Sequence, residues 1–293
     1  YRGGHTVLRL AYLGPPGTFT EEAALRYAER EPAELIAFGS MPALVSAVET
    51  GLADRAILPI ENSLEGTVST TVDLLIHETD LKICAELILP VRHFLLAHPG
   101  TRLEEIRVVL SHPQALGQCR RFLERCLPHA EQVAALSTAA AVAEVMRSDD
   151  RSRAAIGTLR AAELYGAAVL ARDIQDQKSN ATRFVVLALE DAEPTGVDRT
   201  SLCFTVKRNV PGALVEVLNE LAVAQIQMTK VESRPMKSVL GEYVFLVDIE
   251  GHRKDPHIAA ALQRMVEKAA EIKIFGSYPR DEDGLNGTRA LRD

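Results

Sequence analysis

The residues best suited to chemistry fall in short polar runs, and most of these directly follow an apolar stretch. Pro59-Ile60-Glu61-Asn62-Ser63-Leu64-Glu65-Gly66-Thr67 sets carboxylates, an amide and hydroxyls after the apolar residues 56–60. Ser111-His112-Pro113-Gln114-Ala115-Leu116-Gly117-Gln118 follows the apolar residues 108–110. Asn180-Ala181-Thr182-Arg183-Phe184 brings a hydroxyl, a guanidinium and an aromatic ring into three consecutive positions. Thr18-Phe19-Thr20 opens a helix behind Gly14-Pro15-Pro16-Gly17, where unpaired backbone N–H groups suit an anion. Amides and hydroxyls grip oxygen atoms without adding net charge, and a guanidinium fits a carboxylate with two parallel bonds. Such a set recognises a small, oxygen-rich anion.

Each run also has a plainer reading. Thr18 and Glu21 are spaced as a capping box, so capping alone and anion binding both stand. Ser111 is a natural helix cap, with Pro113 in the first turn. Gln118 suits a solvated helix face, and Arg183 an ion pair with Asp173 or Asp176.

The elements that must position these groups alternate between strand and helix. Strands are expected at residues 7–13, 35–38 and 53–60, with helices after Gly17 and at 41–49, which predicts a mostly parallel sheet. Apolar residues 81–89 and 91–97 flank Pro90 and mark a crossing into a second lobe. That lobe is expected to hold strands at 107–110 and 153–157 and helices at 113–126, 139–146 and 159–165. Cys119 and Cys126 fall on the core side of the first of these helices. Residues 184–189 return to the first lobe, and two lobes joined by crossing strands enclose a cleft, a favoured place for ligands.

An acidic stretch at 191–198 reads as a linker. Beyond it the order is strand, helix, strand, strand, helix, strand, the βαββαβ of the ferredoxin-like α+β fold. The domains expected are therefore 7–190 and 199–279. Lobe one takes about 7–83 and 182–190, lobe two about 84–181, and residues 1–6 and 280–293 are tails.

Composition narrows the partners. The 293 residues are 47% apolar and carry a net charge of −7 without a tryptophan, which argues against nucleic acid. No apolar run reaches the length of a membrane span. Four scattered cysteines without a CxxC pair fit reduced thiols in the cytoplasm, and no metal-ligand spacing occurs among the eight histidines.

Taken together, these segments resemble the prephenate dehydratases, in their monofunctional form, from Gly14-Pro15-Pro16-Gly17-Thr18-Phe19-Thr20 through Thr182-Arg183-Phe184. Pro211-Gly212-Ala213-Leu214, Glu232-Ser233-Arg234-Pro235 and Gly241-Glu242-Tyr243 are similar to the family's C-terminal ACT regulatory domain. The resemblance implies a two-lobed, periplasmic-binding-protein-like catalytic domain that converts prephenate to phenylpyruvate in phenylalanine biosynthesis, without a cofactor or metal. It implies Thr182 as the catalytic residue, assisting departure of the ring hydroxyl. Thr18, Glu61, Asn62, Ser63, Ser111, Gln118, Arg183 and Phe184 are then the substrate contacts, with Arg183 as carboxylate clamp. It implies an allosteric amino acid, phenylalanine first, at Gly212, Ala213, Leu214, Gln227, Glu232, Ser233, Arg234 and Pro235, and a homodimer or homotetramer. Gln225-Ile226-Gln227 departs from the family's common Gly-Ile-Asn and leaves the effector open. The competing readings are an arogenate dehydratase and a two-lobed binding protein without catalysis.

Overall fold

A computed structural model describes residues 7–290; the expected tail at 1–6 lies outside them. In chain order the first lobe runs β1 (Leu8–Leu13), α1 (Phe19–Arg30), β2 (Ala33–Phe38), α2 (Met41–Glu49), β3 (Arg55–Asn62), β4 (Gly66–Thr67), α3 (Ser69–Asp73), a π-helical turn (Leu74–Glu78) and β5 (Lys82–Pro90). The second lobe holds β6 (Phe94–Ala97), β7 (Val108–Ser111), α4 (Pro113–Gln118), α5 (Arg120–Cys126), β8 (Glu131–Ala134), α6 (Thr138–Arg147), β9 (Arg153–Gly157), α7 (Leu159–Tyr165) and β10 (Ala168–Ala171). Then come β11 (Ala181–Ala188), β12 (Asp198–Val206), α8 (Ala213–Val223), β13 (Met228–Pro235), β14 (Tyr243–Glu250), α9 (Pro256–Lys268), β15 (Ala269–Pro279) and α10 (Glu282–Arg289).

Three sheets organise these elements. The first has the order β2-β1-β3-β11-β5, the second β10-β6-β9-β7-β8, and the third β13-β14-β12-β15. β1, β2 and β3 are parallel, and β11 runs antiparallel between β3 and β5. The chain crosses between lobes after β5 and again before β11. β5 lies wholly in the first sheet, so lobe two starts near residue 91 and not at 84; sheet pairing, not the apolar run, sets that border.

Helix starts follow their caps. The side chains of Thr18, Ser40, Ser137 and Thr158 accept the N–H groups of Glu21, Ala43, Ala140 and Ala161. The helix expected at 113–126 is broken at Cys119. Asp176 causes the break from a distance: its N–H donates to the Gln118 carbonyl (2.7 Å), and its carboxylate accepts from Arg121 N–H (3.0 Å). As a result Cys119 is buried but Cys126 is exposed.

The third sheet is covered by α8 and α9 on one face, through Leu202, Phe204, Val247 and Ile249. Its other face, with Cys203, Val244, Leu246 and Tyr278, shares one core with Leu58, Ile60, Val185 and Leu187 of the first lobe. β14 is thus buried on both sides within one chain. The expected tail at 280–293 carries helix α10 in its described part, because Asp281 accepts from Ile88 N–H (2.7 Å) and binds Arg30 (2.8 Å). The linker is also tied down: Asp191 accepts two bonds from Arg253 (2.6 and 2.8 Å) and one from Ser277 N–H (2.9 Å).

Candidate active site

A cleft of about 600 Å³ lies between the lobes and is lined by Thr18, Asn62, His93, Gln118, Thr182 and Phe184, among others. Its lobe-one wall is set by an irregularity in β3. Thr182 pairs with Asn62 and Arg183 with Glu61, but Phe184 pairs with Pro59, so Ile60 is an extra residue in the ladder. This β-bulge lets Pro59 and Asn62, three apart, share the cleft face. Ile60 and Glu61 both turn to the back of the sheet, Ile60 into the shared core and Glu61 to Arg183.

The Asn62 amide has a defined orientation. Its Oδ1 accepts from the N–H groups of Leu64 (2.9 Å) and Glu65 (3.0 Å), so its Nδ2 is the end that meets Thr182 Oγ1 at 3.0 Å. The threonine oxygen accepts that bond and keeps its own O–H for another partner. Behind it the Phe184 and Phe19 rings pack with centroids 5.6 Å apart.

Across the cleft, Gln118 Oε1 lies 2.8 Å from His93 Nε2. Burial lowers the His93 imidazole below its ordinary pKa, opposed by the Gln118 bond. Arg92 is the guanidinium of the lining; Asp173 holds it through two bonds (2.6 and 2.9 Å), and it sits 5.0 Å over the Phe94 ring. The starts of α1, α4, α6 and α7 all contribute to the wall, through Thr18, His112, Ser137 and Thr158. Helix N-termini carry partial positive charge, so the cleft attracts anions although the chain is acidic overall. The lobes also touch: Thr158 Oγ1 donates to Gly17 O (2.8 Å), and Arg160 binds Glu21. Gly17, at φ 87°, lies against Ala139 and Ala161.

Of the residues singled out in sequence, Thr18, Asn62, Gln118, Thr182 and Phe184 meet in this cleft. Four do not line it. Arg183 is 8% exposed on the back face, bound to Glu61 (3.0 Å) and Asp248 (2.9 Å), and is not a clamp for a cleft carboxylate. Glu61 is its cross-strand partner. Ser63 Oγ is taken up by Asn180 Oδ1 (3.1 Å) and Ala181 N–H (2.9 Å), where it staples the second crossing. Ser111 is fully buried and donates to Ile156 O (2.8 Å), and His112, not Ser111, caps α4.

The eight residues expected to hold an effector divide as well. Gly212, Ala213 and Leu214 form the entry to α8, and Gln227 bonds the Met228 carbonyl (2.9 Å). Along β13, Ser233 and Pro235 are exposed, whereas Glu232 accepts from Thr67 Oγ1 (2.6 Å) and Arg234 binds Asp73 (3.1 Å), both in lobe one.

Sequence reading missed Arg92, His93 and Thr158. Thr158 directly follows the last residue of β9 and caps α7, so the rule that ligands gather at the carboxyl ends of strands points to it. Arg92 and His93 follow Pro90 at the first crossing, a polar pair inside an apolar run. A larger groove of about 1260 Å³ runs behind lobe one, but Arg30, Arg55 and Arg280 there are matched by Asp281, Glu31 and Glu250.

Comparison with known proteins agrees with this layout. A sequence model described as prephenate dehydratase matches residues 10–192. The bifunctional chorismate mutase/prephenate dehydratase of Neisseria gonorrhoeae is 44% identical over 272 residues, covering 93% of this chain and 74% of that one. The structure of the Arthrobacter aurescens prephenate dehydratase in complex with L-Phe superposes with a TM-score of 0.85 at 32% identity, covering 98% of both chains. GqqA, described as a novel type of quorum-quenching acylase, gives 0.81 at 32% identity, with 94% of this chain and 98% of that one covered.

Proposed function

The chain belongs to the prephenate dehydratase family, and we propose that its interlobe cleft performs the reaction with Thr182 as hydrogen-bond donor to the departing ring oxygen. The reaction turns prephenate into phenylpyruvate, carbon dioxide and water. The electron pair of the breaking carboxyl bond enters the ring, and the ring C–O pair leaves with the oxygen. Negative charge therefore grows on that oxygen, which a proton then converts to water.

The observation that carries this reading is the Asn62–Thr182 bond. Because Thr182 Oγ1 accepts from Asn62, its O–H is free to donate to the leaving oxygen. A threonine hydroxyl is too weak an acid to surrender its proton, so its part is to stabilise charge. Arg92 and the helix starts at Thr18, His112, Ser137 and Thr158 receive the two carboxylates, and Phe184 walls the ring. Neither hydride nor electrons pass to a carrier, so the chemistry calls for no cofactor. The likeness to an acylase raises hydrolysis as a second chemistry. A hydroxyl nucleophile needs a base beside it, and Thr182 instead meets an amide donor.

Incubation with prephenate should yield phenylpyruvate. Thr182→Ser should retain part of the rate, and Thr182→Ala should lose about 10²–10³-fold in kcat. A folded Thr182→Ala protein with near-normal turnover removes this role. Arogenate supplied in place of prephenate decides between a keto and an amino substrate.

We read the third sheet with α8 and α9 as an ACT regulatory domain, supported by its βαββαβ order and by the L-Phe complex of the Arthrobacter enzyme. Gly212, Ala213, Leu214, Gln227, Ser233 and Pro235 are the remaining candidate effector contacts. Titration of activity with phenylalanine, tyrosine, leucine and methionine tests it, and a flat response to all four overturns it. The edge strand β13, with Val231 exposed, supports a homodimer or homotetramer, which a monomeric mass by light scattering would refute. Among the described residues no helix is long and apolar enough to cross a membrane. With its free thiols, this supports a cytoplasmic location.

A further inference from the structure

One residue past Thr182, β11 turns a guanidinium to the opposite side of the sheet. Arg183 Nη2 donates to Glu61 of β3 (3.0 Å) and to Asp248 of β14 (2.9 Å). Its Nη1 donates to the Tyr278 hydroxyl of β15 (3.3 Å) and lies 3.5 Å from Glu86 of β5. Arg199 of β12 completes the group through Glu86 (2.7 Å), and Ser201 Oγ bonds Tyr278 (2.7 Å). We propose that Arg183 is a positioning residue for the reaction, held by Asp248, so that the third domain sets the aim of Thr182 and Asn62. The inference rests on the cleft reading above and extends it across the domain border.

Three observations support it. Arg183, Glu86, Asp248 and Tyr278 are all buried, although apolar residues of similar volume would hold the two sheets together at least as well. A buried ion cluster adds direction, because a planar guanidinium satisfies several acceptors only in one orientation. The cluster also sits at the bulge. The Arg183–Glu61 pair is the next rung of the ladder after Thr182–Asn62, and the extra residue Ile60 follows at once. A bulge leaves a ladder locally free to shift, and here the free point is clamped from behind by a different sheet. Third, the demand on aim is high. A donor to a departing oxygen works over a narrow range of distance and angle.

The test is a double-mutant cycle on the full chain. Asp248→Asn keeps the side-chain shape and removes the charge. In the Thr182 protein it should lower kcat about tenfold or more, because small misplacements reach about a hundredfold, while KM stays within about twofold. In a Thr182→Ala background, with no hydroxyl to aim, the same change should alter the residual rate by less than about twofold. Circular dichroism and cooperative unfolding verify folding. If Asp248→Asn does not fold, Ser201→Ala perturbs the same cluster more gently and enters the same cycle. Equal factors in both backgrounds, or an unchanged kcat, overturn the positioning role alone. Wild-type protein that makes no phenylpyruvate overturns this role and the cleft reading together.

Discussion

Asn62→Asp tests the orientation of the Thr182 hydroxyl with one atom changed. The side chain keeps its size, and one carboxylate oxygen can still accept from Leu64 and Glu65 N–H, so the turn after β3 persists. The other oxygen then lies 3.0 Å from Thr182 Oγ1 and can only accept. Thr182 must turn its proton to the new carboxylate and away from the leaving oxygen. The lost donor is worth about 2.7–4 kcal/mol in the transition state, or about 10²–10³ in kcat. Nearby negative charge also weakens binding of a dianion, so KM rises. The turn bonds are retained, so unfolding free energy should change by no more than about 1 kcal/mol. The assay is the initial rate of phenylpyruvate formation at saturating prephenate, with denaturant unfolding alongside. A kcat within threefold of wild type, in a protein of unchanged stability, would refute the assignment of acceptor and donor at this pair.

Two further predictions concern charge. Arg92→Gln removes the guanidinium of the cleft and should raise KM about tenfold or more with kcat largely kept, as expected for binding felt equally before and during reaction; steady-state kinetics checks it. Acid should weaken the fold below about pH 4. At Asp248 burial pushes the pKa up, but Arg183, Ser201 and Arg199 outweigh it and hold the carboxyl below its ordinary value. Asp191 behaves alike, with burial outweighed by Arg253 and the Ser277 N–H. A depressed carboxylate stabilises the folded state above its unfolded pKa and loses that contribution as pH falls through the folded value. Denaturant midpoints should therefore drop as the pH falls below about 4, and a flat profile there contradicts the ion clusters.

Much of the architecture was legible because local signals and global fold agree. Caps at Thr18, Ser40, Ser137 and Thr158 sit beside apolar periodicity, and the turn after Leu13 is rich in glycine and proline. What sequence could not expose was long-range. The break at Cys119 depends on Asp176, and helix α10 depends on docking of Asp281 against Ile88. The site divides along the same line. Thr182 and Phe184, two apart on one strand, share the cleft, and the residue between them necessarily faces the other way. Strand alternation therefore already argues against Arg183 as a clamp beside Thr182, but its partner Asp248 lies 65 residues further along the chain. Ser63 and Ser111 bond backbone groups far along the chain, Ala181 N–H and the Ile156 carbonyl, so their use in tying strands together was not legible locally.

The extra residue in β3 fixes which side chains a substrate meets. If residues 59–62 alternated regularly, with Ile60 taking an ordinary place in the ladder and not a bulge, Glu61 would turn toward the substrate and Asn62 away from it. The chamber would then greet a doubly negative molecule with like charge, and the threonine would lose its amide neighbour. Parity in one strand, more than any one functional group, keeps the polarity of this chamber right.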